Sequence, residues 1–176
     1  MLKEVLGSCS ICRVQTWDSE ALAPLAVTEV LGGAWPEKTG AVASGDVDII
    51  CVGPTDWLVL AADLAPTALL RLLDTLFRDS TFRATNVSQA LIRVKIEGSD
   101  VRELLAKGCA LDLDPQRFPP GRSSRTRFAD TPVILRCIRQ STFECIVAPS
   151  YADYFLVWLE DAALEFRERP RIDGGE

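Results

Sequence analysis

The chain has 176 residues, 48% hydrophobic and 25% charged, with 19 Lys+Arg against 25 Asp+Glu and a net charge of -6; this is the mix of a soluble globular protein long enough to build a core without disulfide or metal staples. An acidic balance argues against nucleic acid as a partner, and the absence of any histidine removes the Ser-His-Asp and Cys-His nucleophilic sites, the two-histidine zinc proteases and the usual zinc deaminase sets. Catalysis by carboxylate, lysine or cysteine stays open, without the side chain that titrates most readily near neutral pH.

Cys9 to Trp17 reads as a first strand, with Cys9, Ile11, Arg13, Gln15 and Trp17 on one face and Cys12, Val14 and Thr16 on the other. Ala21 to Leu31 has helical composition, tolerates Pro24 near its start, and ends at Gly32-Gly33. Ser44-Gly45-Asp46 signals a turn before the β-rich run Val47 to Val52; Gly53 to Asp56 is a second turn, and Trp57 to Ala61 completes a hairpin. Pro66 opens a helix to about Phe77, whose Leu69, Leu72, Leu73, Leu76 and Phe77 form one apolar stripe. Phe82 to Val87 is the next strand. The order β-α-β-β-α-β is that of a ferredoxin-like unit, two helices on one antiparallel sheet.

The second half opens with the strand Leu91 to Glu97 and a short helix, Asp100 to Lys107, capped by Ser99 and stopped by Gly108. A proline-containing loop from Cys109 to about Arg122 precedes Arg125 to Phe128, a tight turn over Ala129 to Pro132, and the strands Val133 to Arg139 and Phe143 to Ala148. The last helix starts at about Tyr151, with Ser150 as cap and Asp153 three residues on. Its Tyr151, Tyr154, Phe155, Trp158, Leu159, Ala162 and Phe166 fall on one face. The fold class is α+β: two halves, residues 1–89 and 90–166, each an antiparallel sheet with helices on one face, packed as one unit and followed by a flexible tail, 167–176. An internal echo joins them, since Trp57 to Ala62 superposes on Phe143 to Ala148, and Leu69 and Leu73 then align with Phe155 and Leu159. Either any two strand-helix units look this alike, or the halves are related.

None of the chemistry-bearing patterns assembles a site. Cys9 and Cys12 have redox or half-zinc spacing, but lying within a strand they point to opposite faces, and no second pair completes a tetrahedral set. Cys51, Cys137 and Cys145 lie in apolar strand-like runs, as free cysteines do. Cys109 follows Lys107-Gly108 at a helix C-terminus, whose partial negative charge raises a thiol pKa. Asp112 and Asp114 lack the further oxygen ligands of a calcium or magnesium site, and no nucleotide-binding glycine loop is present. No catalytic, cofactor-binding or metal residue is assigned. Neither a signal peptide nor a membrane span is expected, and the cysteine usage suits a reducing cytoplasm. Arg117, Arg122, Arg125 and Arg127 form a basic segment in an acidic chain; with Phe118, Pro119 and Pro120 interleaved it reads as a protein-docking or anion-binding surface.

Gly53 to Ala61 (GPTDWLVLA), Leu104 to Pro115 (LLAKGCALDLDP), Phe118 to Gly121 (FPPG) with Thr126, and Phe143 to Leu159 resemble the gamma subunits of heterotetrameric sarcosine oxidases. The resemblance runs from about residue 9 to residue 165 and is most specific in the second of these stretches. It implies a fold similar to the folate-binding region of the glycine-cleavage aminomethyltransferase. It further implies a non-catalytic chain, inactive alone, in a cytoplasmic complex with alpha, beta and delta subunits, packed mainly on alpha. That complex oxidises sarcosine to glycine, with hydrogen peroxide and methylene-tetrahydrofolate formed, and carries FAD, FMN, NAD and tetrahydrofolate on subunits other than this one. In the aminomethyltransferase relatives an acidic residue follows a glycine-rich hairpin; here the corresponding Thr131 to Arg136 has no carboxylate. The alternatives are a stand-alone folate-binding protein of one-carbon transfer or iron–sulfur repair, whose Lys-Gly-Cys sequence Lys107 to Cys109 matches, and a gamma-like subunit of a sister N-methyl amine oxidase.

Overall fold

Strict alternation of side chains along a strand decides which residues meet a helix and which meet another sheet, and here both faces of each sheet are covered. The computed structural model describes residues 2–17, 31 and 35–168. In chain order it contains β1 (Leu2–Val5), β2 (Ser10–Thr16), β3 (Val42–Ser44), β4 (Asp48–Gly53), β5 (Asp56–Ala61), α1 (Pro66–Leu76), β6 (Phe82–Asn86), β7 (Ile92–Glu97), α2 (Val101–Ala106), β8 (Ser123–Phe128), β9 (Thr131–Arg139), β10 (Thr142–Val147) and α3 (Pro149–Glu168). The strands form two antiparallel five-stranded sheets, ordered β3-β4-β5-β2-β6 and β8-β9-β10-β7-β1.

In the first sheet Cys12, Val14, Ile49, Cys51, Trp57 and Val59 face outward onto Leu69, Leu73 and Phe77 of the α1 region. Ile11, Ile50, Val52, Leu58 and Leu60 face inward, where they meet Ile134 and Ile146 of the second sheet. The outer face of the second sheet, with Val94, Ile96, Leu135, Phe143 and Cys145, is covered by Leu104 and Leu105 of α2 and by Ala152, Phe155, Leu159 and Ala163 of α3. The layers are therefore helix, sheet, sheet, helix.

Strands β6-β2-β5-β4 have the ferredoxin-like order of the expected β-α-β-β-α-β unit. The predicted helix Ala21 to Leu31 and its Gly32-Gly33 stop lie outside the described residues, apart from Leu31, which is helical and buried. The second sheet repeats this order, with β1, β7, β10 and β9 standing where β6, β2, β5 and β4 stand, and with β8 and β3 as matching additions. Strand β1, counted with residues 1–89 in the sequence, thus lies on β7 of the second sheet, its Val5 opposite Val94. The internal echo has its physical basis here: β5 and β10 are the middle strands, and each feeds a helix that buries Leu69 and Leu73 or Phe155 and Leu159.

Several boundaries differ from the sequence reading. The turn after β8 is only Ala129-Asp130, both with positive φ (46° and 65°), and Pro132 lies inside β9. Pro132 stands opposite Arg127 in the pair after the hairpin turn, where no ladder bond to β8 is required, and β10 ends at Val147 opposite Val133. Helix α2 is entered from Asp100; the Ser99 hydroxyl goes to the Asp100 carboxylate (2.9 Å) rather than to a backbone N–H. Gly108 is fixed by crowding, since a Cβ there would come within 2.9 Å of Trp158 and 3.0 Å of Phe128. Helix α3 begins at Pro149, which places Ser150 inside its first turn rather than at a cap. Its buried row is Ala152, Phe155, Leu159 and Ala163, so Tyr151 and Tyr154, expected on that face, point outward with Val157 and Leu164.

Candidate functional site

The two sheets are joined at one end by a backbone seam. Ser123 donates its N–H to the Gly40 carbonyl (2.6 Å), Val42 donates to the Gly121 carbonyl (3.1 Å), and Ala41 bridges Arg122. Gly40 (φ +85°) and Gly121 (φ +80°) adopt the left-handed conformation that the crossing demands. Beside this seam a cavity of about 520 Å³ opens, with Val52, Leu111 and Ile134 as apolar wall, Thr39, Ser123 and Ser124 as hydroxyls, and Arg117, Arg122, Arg125 and Asp112 as charges. A smaller apolar compartment of about 170 Å³ adjoins it, shares Val52, Arg125 and Ile134, and adds Leu58, Val87 and Leu91.

The five residues read from sequence as a docking set are thereby separated. Arg117, Arg122 and Arg125 are exposed on the large cavity. Among the described residues no carboxylate pairs with Arg117 or Arg122, whereas Arg125 stands 4.0 Å from Asp56, which Arg13 already holds by two bonds of 2.8 and 2.6 Å. Phe118 also borders the cavity, but it is buried and stacks on Phe143 (6.3 Å between centroids), so it anchors the loop. Arg127 is fastened to its own turn, donating to the Asp130 carbonyl at 2.8 Å.

Two further residue groups hold the site. Arg102 donates to the Leu113 (2.5 Å) and Phe118 (3.2 Å) carbonyls and lies over the Phe143 ring, pinning the loop before Arg122. The Asp112 and Asp114 carboxylates, weighed in the sequence as metal ligands, accept the N–H groups of Asp114 (3.0 Å) and Gln116 (2.8 Å) and thereby set the loop. Between the sheets, the fully buried Glu144 of β10 receives Arg93 Nε at 2.5 Å and Arg136 Nε, and Arg136 reaches across to Asp48 of β4 at 2.7 Å. Arg93 also donates to Cys9 Sγ at 3.1 Å. Burial opposes the charge on Arg93, yet Glu144 and Cys9 beside it hold its pKa above the ordinary value. Sequence reasoning missed this network. Its signal was present, since Arg136 and Glu144 interrupt runs that are otherwise apolar.

The cysteines are packed within or against the three apolar clusters, Cys9 beside Arg93. All six are free, with Cys12 in the outer core of the first sheet and Cys9 on the side of the facing sheet, as the strand alternation requires. Lys107 does not face Cys109: its ammonium binds Glu165 (2.6 Å) and the Ala162 carbonyl (3.0 Å), while the Cys109 thiol lies 3.7 Å from the Thr126 hydroxyl. Lys107 and Cys109 therefore do not assemble into one site. Burial pushes the Cys12 thiol up to about 11, with Asp74 adding to the effect, and burial likewise raises Cys51, Cys137 and Cys145. A raised thiol pKa means that the unfolded chain loses its proton first as pH rises, so stability falls above pH 9, with Cys12 alone removing on the order of 1 kcal/mol by pH 10. Urea unfolding at pH 8 and pH 10 should show this loss, and Cys12→Ala should shrink the difference between the two curves. An unchanged difference would remove Cys12 as its source.

The arrangement suits binding. Guanidiniums supply forked donors for carboxylates and keep their protons at any ordinary pH. Among the described residues no group of three or more Cys, Asp or Glu side chains is placed to hold a metal ion, and no helix is long and apolar enough to cross a membrane.

Residues 17–165 match a family model described as sarcosine oxidase, gamma subunit family. The chain is 30% identical to sarcosine oxidase subunit gamma of Corynebacterium sp. (strain U-96), over 80% of its own length and 69% of that protein. It is 26% identical to the subunit of the same name from Corynebacterium sp. (strain P-1), over 82% and 71%. Among solved structures it superposes on a chain of the heterotetrameric sarcosine oxidase from Corynebacterium sp. U-96 with a TM-score of 0.84, 22% identity, and coverage of 96% of this chain and 86% of that one. A glycine cleavage system aminomethyltransferase T from Bartonella henselae shares the fold at a TM-score of 0.57 and 9% identity, covering 86% of this chain and 43% of the other.

Proposed function

Because the chain belongs to the sarcosine oxidase gamma subunit family, we propose that it serves as the structural subunit of a heterotetrameric oxidase that demethylates sarcosine to glycine, forming hydrogen peroxide and methylene-tetrahydrofolate. The observation that carries this reading is the family match across residues 17–165. The flavins, NAD and tetrahydrofolate reside on the other chains, and the assembly works in the cytoplasm. The partners are alpha, beta and delta subunits, with alpha as the main contact. Docking uses Arg117, Arg122 and Arg125 of that basic stretch, with Phe118 as its buried anchor, while Arg127 is taken up by its own turn. The outward Tyr151, Tyr154, Val157 and Leu164 of α3 give the surface an apolar face of the kind that partner chains cover.

Affinity capture of the tagged chain from its native bacterium tests the reading. The expected product is a yellow four-chain complex that forms peroxide from sarcosine, while the chain alone forms none. Capture of a colourless single chain would overturn the subunit assignment, and tight folate binding by that chain would establish the stand-alone alternative. A yellow complex that turns over another N-methyl amine and ignores sarcosine would instead establish the sister oxidase.

A further inference from the structure

Resting on the subunit reading, we propose that the cavity between the two sheets is the seat of a carboxylate-bearing segment of another subunit, gripped by Arg117, Arg122 and Arg125. Three exposed guanidiniums converge there in a chain of net charge -6, so the positive field is local and points at one opening. Asp56 is already held through two bonds by Arg13, which leaves the Arg125 fork at 4.0 Å largely unused. Arg117 and Arg122 have no carboxylate partner among the described residues. Asp112, on the same cavity, repels a carboxylate from its own side and so directs the incoming charge toward the arginines.

The shape selects a chain segment over a free small anion. A small-molecule site encloses most of its ligand, whereas the Arg125 side chain is 61% exposed and stands at the mouth of the cavity. The adjoining apolar compartment, reached past Val52 and Ile134, receives an apolar side chain next to the carboxylate. The occupant is therefore an acidic residue with an apolar neighbour on an extended stretch of the partner. The seat is rigid beforehand, since the Gly40–Gly121 seam, the Phe118 anchor and the Arg102 bonds fix its walls. Binding then orders few groups, which favours affinity.

The test uses the assembled complex. The chain is co-expressed with its partner subunits as wild type, Arg122→Glu, Arg125→Glu and Arg127→Glu, and its affinity for the remaining chains is measured at 50 and 300 mM NaCl, both chosen salt levels about the range where surface charge is progressively screened. Arg122→Glu and Arg125→Glu should each weaken association on the order of 30-fold or more, with a shallower salt dependence. Arg127→Glu, bound to its own turn, should change it by less than roughly threefold. Unchanged melting temperatures of the variants confirm that folding is not the cause. If wild type assembles and all three variants assemble equally well, the seat is elsewhere and the subunit reading stands. If association is unaffected while the wild-type chain binds citrate or inorganic phosphate saturably and Arg122→Glu does not, the cavity is a small-anion site and the proposal is overturned. Failure of the wild type to assemble removes the subunit reading and this proposal together.

Discussion

Replacing Glu144 by alanine should cost about 3–5 kcal/mol of folding free energy, read as a lower midpoint in urea unfolding. Its carboxylate is fully buried between the sheets and receives both Arg93 and Arg136. Without it two guanidiniums stay in a water-poor interior with their charges uncompensated, and Arg136 keeps only Asp48. Glu144→Gln should recover only part of the loss, because its amide keeps one acceptor oxygen and turns an NH2 donor toward the other guanidinium. The triple replacement Arg93→Met, Glu144→Leu and Arg136→Met should be nearly neutral, because it removes the buried ions and their desolvation penalty together. Asp48, left behind, is 27% exposed and reaches water. If the single and triple variants lose equal stability, the network is not the balanced set of charges described here.

Gly40→Ala should cost about 2–4 kcal/mol and open the arginine cavity, seen as loss of subunit association before loss of fold. A Cβ at Gly40 would stand 2.6 Å from the Ser123 carbonyl oxygen, a backbone atom, and the backbone there has a φ of +85°. Gly121→Ala is the control. Its φ is +80°, but its nearest neighbour would be Val42 O at 4.0 Å, so only the conformational term of about 1–2 kcal/mol applies. Equal losses at the two glycines would mean that the seam does not tighten at Gly40. A larger loss at Gly40 places the constraint where the two sheets touch.

The seam also shows where sequence reading stops. Strand and helix positions were legible because the two faces of Ser10–Thr16, the apolar run of Asp56–Ala61 after its turn, the 3–4 spacing in Pro66–Leu76, and the turn residues between them are local. The basic segment was legible for the same reason, since its arginines lie within eleven residues of chain, Arg117 to Arg127. That Arg127 would fasten to Asp130 while Arg117, Arg122 and Arg125 share one cavity depends on side-chain directions that the chain order does not specify. The row of α3 was half legible: Phe155 and Leu159 were placed inside, but Tyr151 and Tyr154 turned outward because the helix starts at Pro149 and meets the sheet along Ala152 and Ala163.

By itself the sequence determined the α+β class, the ferredoxin-like order of the first half and the family. Each follows from residue type and short-range periodicity, or from motifs that survive as stretches of chain. The tertiary structure alone decided that β1 would complete the second sheet, that Glu144 would sit between Arg93 and Arg136, and that three arginines would face one opening. Those pairings join residues as far apart in the chain as Leu2 and Glu97, a separation at which short-range pattern carries no information. They are set by which apolar faces must be buried together, and that choice is made by the whole chain at once.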